Sequence, residues 1–548
     1  MDHGPATQRP TEPSTSAAAL PEGRTGLPRE MDGASHRQKR AAKSRLPGSW
    51  PLAVILTVQA LLSLRLVRAD TAFEDEATYL WAGHLEWAHM LHGTPLPQFP
   101  AYFSGAPVIY PPLGALADSI GGLTAARVFS LVFMLGATVT LWFISDRLYG
   151  RRAAFFAAAL FAALGPTLHL GAFATYDAMS LFLVALAAWF VVRAGDRQDA
   201  TGWMLGAAVT LVLANAVSYS SALFDPVVIL LALVVAWTIP GPRLAIARAV
   251  SLLAIVALLI TLLLLIGGSR YLTGVEQTTL ARVGGSDSPL SVLAHSWSWT
   301  GIIVVAAICG AVVSWVTQPQ RPQTWLLTLL ALAALIVPAE QASMSTLDSL
   351  NKHVDFGAWF AAIAAGYAVD RLVATSAAGN MRIVTGSACV IALCFPVTLG
   401  ASQSRAFSTR WPDSSSFVAI LRPLVDHGTG HLLVEDPSVA EYYLSVGSQW
   451  ERWSSTRNIV LTAGKFTGGP SDKAGVVGDG NAGTFAEYIV DNYFSLVALN
   501  FADTTSLDHI IAADLKRNPH YHKIEVVPYS LDGSTAGEYV IWRYEPQS

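Results

Sequence analysis

Apolar runs recur along this chain at 51–68, 124–145, 153–170, 177–193, 202–219, 223–240, 246–266, 299–317, 324–338, 354–372 and 382–400. A helix needs about 20 apolar residues to cross the hydrocarbon core, so the pattern predicts about eleven membrane spans. Residues 1–48 lack this periodicity. They are rich in Pro, Ser, Thr, Gly and charge and are expected to be a disordered cytoplasmic segment. The segment ends in a basic group, Arg37, Lys39, Arg40, Lys43 and Arg45, and no small-residue cleavage site separates the first apolar run from the acids after it. The first run therefore reads as an uncleaved helix. Beyond about residue 401 the pattern turns mixed polar, with strand-like runs at 431–434, 496–499, 524–527 and 539–544. Helical patterns near 413–426, 483–492 and 504–517 alternate with them, which predicts a small α/β domain. Three parts follow: 1–48, a membrane domain over 49–401, and an α/β domain over 402–548. Gly478, Gly480 and Gly483 spell GxGxxG, but without a preceding strand the run reads as a loop.

Composition agrees with a chain made for lipid: 52% of its 548 residues are hydrophobic and only 14% charged, against about 25% charged in soluble domains. The net charge of −4 argues against a nucleic-acid partner. Cys309, Cys389 and Cys394 all fall in apolar runs, as buried small hydrophobes do, and form no disulfide framework. Charge also gives an orientation. With the N-terminus inside, the cytoplasmic loops contain Arg147, Arg151 and Arg152, then Arg193 and Arg197, then Arg243 and Arg248, then Arg321, then Arg371 and Arg382. The outside loops near 171–176 and 219–222 contain no arginine, as the positive-inside rule requires. Three longer outside segments, about 70–123, 267–298 and 339–353, then share a face with the extracytoplasmic α/β domain. The expected location is the plasma membrane.

The chemistry of the chain concentrates in those outside segments. Glu74, Asp75 and Glu76 stand a few residues past the first span and open an amphipathic pattern over 75–92. Acids at that position either cap the helix or mark a site, because carboxylates near a bilayer are expensive to hold. Asp177 falls at the outer start of the fourth run, as a cap or as a second wall of the same site. Lys352, Arg270 and Arg282 are the outside cations, to be read as phosphate ligands or as snorkelling side chains. Tyr79, Tyr102 and Tyr110 belong to an aromatic-rich stretch that serves either sugar stacking or an interfacial belt. His84, His89 and His92 with nearby acids match no compact metal motif, so no cofactor is expected, a divalent metal being the disfavoured alternative.

Asp75-Glu76-Ala77-Thr78-Tyr79, then Gly93, Pro97 and Tyr102, then Tyr110-Pro111-Pro112-Leu113-Gly114, together resemble the first outer loop of glycosyltransferase family 39. That family has the GT-C fold and includes protein O-mannosyltransferases and aminoarabinose transferases. Asp177, within Tyr176-Asp177-Ala178-Met179, resembles the acid of its second outer loop, and Asn351-Lys352-His353-Val354-Asp355 resembles its late basic stretch. The resemblance spans most of residues 50–375 and leaves the α/β domain uncovered. One departure is Tyr110, where some relatives carry lysine before the Pro-Pro pair; Lys352, His353, Arg270 and Arg282 become the candidates to hold phosphate. The resemblance implies a membrane-embedded inverting transferase. Asp75 would be its base, Glu76 and Asp177 would orient sugar or acceptor, and the partners would be a polyprenyl-phosphate sugar donor and a glycan, lipid or protein acceptor. Residue chemistry alone leaves two alternatives open: a transporter or flippase of lipid-linked glycans, and a non-catalytic assembly subunit.

Overall fold

The computed structural model describes residues 50–546 except 98, 102, 282–283, 377–380, 427–429, 445–448, 457–481, 503 and 532–533. The N-terminal segment and the Gly478 and Gly480 positions thus lie outside the described residues. Every expected apolar run is a helix. Among the described residues seven helices are long and apolar enough to cross a membrane: Tyr110–Tyr149, Tyr176–Ala194, Tyr219–Ala236, Pro242–Ser269, Pro289–Thr317, Pro322–Ser343 and Leu350–Ala374. Three of the other four runs form shorter or interrupted helices. Trp50–Leu64 and Thr201–Val217 are brief, and the run at 153–170 breaks into Arg151–Ala162 and Gly165–Leu170. Its second piece starts with Pro166 in the first turn, where the missing N–H costs no helical bond. The last run lies in Met381–Phe407. The protein is a polytopic helical membrane protein.

Proline and glycine set where these helices start and bend. The Tyr110–Tyr149 helix begins with Pro111 and Pro112 and kinks at Gly121–Gly122, where Gly122 takes φ 66°, open only to a residue without Cβ. The predicted span at 124 therefore begins just past this kink. Several of the arginine-bearing loops meet. Arg147 pairs with Asp196 at 2.7 Å, Arg152 with Asp370 at 2.8 Å, and Arg248 donates to the Ala194 carbonyl at 2.9 Å. Cys309 and Cys394 are exposed rather than buried, and the Cys389 side chain lies outside the described residues. On a helix that crosses a membrane, a small apolar side chain gains nothing by leaving a lipid-facing surface, so the burial rule of soluble proteins carries no weight there.

The C-terminal region forms a five-stranded sheet in the order β2-β1-β3-β5-β4, with β1 His431–Val434, β2 Trp453–Ser455, β3 Phe494–Leu499, β4 Tyr521–Leu531 and β5 Ser534–Tyr544. Strands β2, β1 and β3 run parallel, while β5 and β4 complete the sheet as an antiparallel pair. The parallel strands β1 and β3 are apolar on both faces, as a sheet covered by helices must be. Leu433, Val497 and Trp542 pack on one face with Ile511 and Leu515, and Leu432, Leu496 and Ile541 pack on the other with Phe417 and Leu421. The sequence pattern located four of these strands; the three-residue β2 was too short to show one.

Candidate active site

The Glu74–His92 helix lies against the start of Tyr110–Tyr149, and two features fix it there. Gly83 sits so close to the second helix that a Cβ would meet the Pro111 carbonyl oxygen at 1.9 Å. Gly93 ends the helix at φ 70°, its N–H returning to the His89 carbonyl at 2.8 Å. The N-terminal end is held by Glu76, which is 0% exposed. Arg127 donates to it twice, Nε to Oε1 at 2.8 Å and Nη2 to Oε2 at 2.6 Å. The Phe73 and Ala174 backbone N–H groups add bonds at 3.1 and 2.7 Å. The same guanidinium donates to the carbonyls of Val67, Asp70 and Thr71, at 3.1, 3.0 and 3.0 Å, and so pins the turn that enters the helix. This bidentate, fully satisfied pair is the form in which buried charges are tolerated. Glu76 was expected to orient sugar or acceptor. Its oxygens instead bind Arg127 and two backbone amides, and it does not line the cavity described below. Sequence reasoning missed Arg127, although a lone cation inside the apolar run at 124–145 was a legible signal.

One residue before Glu76, the helix turns Asp75 toward a lysine. Lys352 Nζ lies 2.5 Å from Asp75 Oδ2 and 3.8 Å from Asp177 Oδ2. Its ammonium also faces the Phe173 ring at 5.9 Å. Asp177 is fully buried, accepts from Thr175 Oγ1 at 2.9 Å and lies 3.5 Å from His353 Nε2. Gln341 in turn contacts His353 Nδ1 at 3.3 Å. Four residues singled out from the sequence thus share one cluster. The turn that delivers Lys352 is held by the segment before the Pro289–Thr317 helix. Gly285 and Asp287 N–H groups reach the carbonyls of Met344 and Ser345 at 2.9 Å each, and Asp287 Oδ2 accepts from Leu347 N–H at 2.9 Å. Ser345 and Ser349 stand at φ 52° and 61° in this turn, a left-handed conformation costing non-glycine residues about 1 kcal/mol. A strained turn beside a buried lysine is an arrangement that its surroundings must impose.

Asp75 opens onto a cavity of ≈ 300 Å³ between the Glu74–His92 helix and the sheet domain. Its side chain keeps 31% exposure, whereas that of Lys352 keeps 6%. Thr78, Tyr79 and Phe103 line the membrane-domain wall, and Glu441, Trp450 and Trp453 the sheet-domain wall. The two walls are tied together: Tyr442 Oη donates to Asp118 at 2.7 Å, which also contacts His84 at 2.7 Å, and Trp450 Nε1 donates to the Pro95 carbonyl at 3.2 Å. Asp177 lies behind Lys352 and does not line the cavity, so the two acids share a cation rather than a surface.

The remaining candidates divide. Tyr79 lines the cavity and packs on Tyr176 at 4.6 Å between ring centroids. Tyr110 is 0% exposed, packed against Phe129 and Tyr176, and does not line the cavity. Tyr102 and Arg282 lie outside the described residues, as does the Arg270 side chain. Among the described residues no three His, Cys, Asp or Glu side chains gather as a metal site. His84 and His89 have other partners, Asp118 and the Thr94 carbonyl at 2.7 Å each.

Residues 114–266 match the family model described as dolichyl-phosphate-mannose-protein mannosyltransferase. A search of curated proteins finds no sequence match. Among solved structures, ArnT from Cupriavidus metallidurans bound to undecaprenyl phosphate aligns with TM-score 0.59 and 13% identity, over 92% of this chain and 100% of that one. The archaeal oligosaccharyltransferase AglB from Archaeoglobus fulgidus, in complex with an inhibitory peptide and a dolichol-phosphate, aligns with TM-score 0.53 and 13% identity, over 89% of this chain and 74% of that one. With the helical bundle, the terminal sheet domain and the matched segment taken together, the chain is a GT-C-fold membrane protein that resembles glycosyltransferase family 39.

Proposed function

We propose that the protein is an inverting glycosyltransferase that moves a sugar from a polyprenyl-phosphate donor to an acceptor at the outer membrane face. The observation that carries this reading is Asp75: a carboxylate open to a cavity, 2.5 Å from a buried lysine, at the end of a helical bundle. In the reaction the acceptor hydroxyl attacks the anomeric carbon, and the carbon–oxygen bond to phosphate breaks. The hydroxyl proton passes to Asp75, and polyprenyl phosphate leaves. A base within hydrogen-bond reach typically contributes 10²–10⁴-fold, roughly, to such a step. Lys352 is the phosphate partner. When the donor enters, its anionic oxygens compete with Asp75 for the ammonium, and charge building on the leaving group is met by a preorganised cation. Asp177 and His353 position Lys352 from behind, and the Glu76–Arg127 pair positions the helix that carries Asp75. The lipid tail reaches the site laterally between helices, which accounts for a transferase built in the bilayer. Arg270 and Arg282 remain further candidates for the phosphate, and Tyr102 for the sugar. The N-terminus lies in the cytoplasm in this reading, with the sheet domain outside.

Reconstitution in vesicles with a panel of polyprenyl-phosphate sugars, comparing the native chain with Asp75→Asn, tests the assignment. Transfer by the native chain should fall by about 10² or more in the variant, while binding of the bare polyprenyl phosphate persists. Full transfer by Asp75→Asn sinks the base assignment. Failure of the native chain to use any lipid-phosphate donor sinks the transferase reading in favour of a transporter or an assembly subunit.

A further inference from the structure

The cavity beside Asp75 has a second wall that the transferase reading leaves unexplained. Its acids, Glu435, Asp436 and Glu441, all come from the segment after β1. Two of the three have structural work. Glu435 accepts from the backbone N–H groups of Asn500, Ala502 and Thr504 at 2.9, 3.0 and 2.9 Å, tying the end of β3 to β1. Asp436 accepts from the Ser438 N–H at 3.0 Å and opens the short Ser438–Leu444 helix. Glu441 differs. It is only 8% exposed, lines the cavity and has no side-chain hydrogen bond among the described residues. A carboxyl left in that position costs free energy unless something meets it.

Burial, reinforced by Asp436, pushes the Glu441 carboxyl up to about 8. At neutral pH it is then largely a neutral acid, with one O–H to donate and oxygens to accept. Charged ligands gain little from such a group. A sugar hydroxyl, itself both donor and acceptor, is its natural complement. The rest of the lining, on both walls, agrees with that chemistry. Trp450 is held in place through its bond to the Pro95 carbonyl, and Trp453, Phe103 and Tyr79 add aromatic surface for the apolar faces of a ring. At ≈ 300 Å³ the cavity falls at the small end of ligand pockets and has room for a single ring.

We propose that the sheet domain completes a subsite for one glycosyl ring, with Glu441 as a specificity-determining residue that binds ring hydroxyls opposite Asp75. The proposal rests on the transferase reading above and deepens it: the sheet domain takes part in sugar recognition. The ring can belong to the donor or to the acceptor, and the test separates the two.

Full-length protein in lipid nanodiscs is titrated with polyprenyl-phosphate sugars, with the bare polyprenyl phosphate, and with a panel of methyl glycosides. Glu441→Leu should weaken sugar-bearing ligands about tenfold or more, because the site then offers an apolar group to a hydroxyl. Glu441→Gln, which still donates and accepts, should stay within about threefold of the native chain. Affinity for the bare polyprenyl phosphate should be unchanged in both, which also reports an intact fold. Loss confined to the lipid-linked sugars places a donor ring here; loss confined to the methyl glycosides places an acceptor ring. Native affinity of Glu441→Leu for every ligand overturns the subsite while leaving the transferase reading standing. Equal weakening of the bare lipid phosphate overturns it as well, since Glu441 would then act through the fold. A native chain that binds no sugar-bearing ligand overturns both.

Discussion

Replacing Glu76 by glutamine changes one oxygen to NH₂ and leaves the volume almost untouched, yet the structure makes it a severe change. Each carboxylate oxygen accepts from Arg127 and from one backbone amide: Oε1 from Nε and Ala174 N–H, Oε2 from Nη2 and Phe73 N–H. Whichever way a glutamine amide turns, its NH₂ faces two donors, which lose their acceptor. The Arg127 side chain, 2% exposed, also loses its counter-charge. Breaking a buried pair from one side costs about 3–5 kcal/mol, a large part of a typical net stability of about 5–15 kcal/mol. Asp75→Asn is the internal control: that side chain is 31% exposed, and Lys352 keeps Asp177 at 3.8 Å. Its stability cost should be nearer 1 kcal/mol, the scale of a partly solvated pair. Thermal unfolding of the purified protein in detergent, followed by intrinsic fluorescence, distinguishes the two. Glu76→Gln should melt well below the native chain and Asp75→Asn close to it, while both lose transfer. A Glu76→Gln protein that melts with the native chain but transfers no sugar would refute the positioning role and return Glu76 to the chemistry.

Other outcomes follow from neighbouring contacts. Gly83→Ala drives a methyl to within 1.9 Å of the Pro111 carbonyl oxygen, so the two helices must separate; overpacking of this kind costs about 1–3 kcal/mol, and a melting temperature equal to that of the native chain would contradict the close packing. Lys352→Met removes the cation between Asp75 and Asp177; titration should show at least about tenfold weaker binding of bare polyprenyl phosphate, and unchanged affinity would remove Lys352 as the phosphate partner. Glu441 supplies a pH test of stability. Its native acidity lies near 8 and its ordinary value is 4.5, so between those pH values the unfolded chain loses a proton that the native chain retains. The native state is therefore destabilised progressively as pH rises from 4.5 to 8, by ~1.4 kcal/mol for each tenfold difference in acidity. Glu441→Gln should flatten that decline in melting curves taken across the range, and parallel curves for the two proteins would contradict the burial argument.

Much of this architecture was legible in one dimension, because lipid imposes a rule that a sequence displays directly. A backbone crossing hydrocarbon must satisfy its own hydrogen bonds, so a span appears as an apolar run; all eleven predicted runs are helical, and the loops bearing Arg147, Arg152, Arg197 and Arg248 meet one another. Four of five strands were visible from their apolar runs: β1 and β3 because parallel strands covered on both faces are continuously hydrophobic, and the antiparallel β4 and β5 through the runs at 524–527 and 539–544. Asp75, Asp177, Lys352 and His353 were also visible, as charges at the ends of apolar runs. Their partnership was not. Lys352 and Asp75 are 277 residues apart in the chain, and no local pattern encodes a contact at that separation. The same limit reversed the roles of neighbours. Glu74, Asp75 and Glu76 are equivalent as a string of acids, and only helix packing against Arg127 buries Glu76 while leaving Asp75 open to the cavity. Tyr110 and Tyr79 looked alike as aromatics, yet one is packed at a helix crossing and the other lines the site. Glu441 had no signal at all, because its meaning comes from the surface it is folded against. Sequence alone determined which segments fold as apolar helices, seven of them long and apolar enough to cross a membrane among the described residues, through a free-energy rule that acts residue by residue. Tertiary structure decided which carboxylate is buried, paired or open, because desolvation and ion pairing depend on neighbours that the chain brings together only when folded.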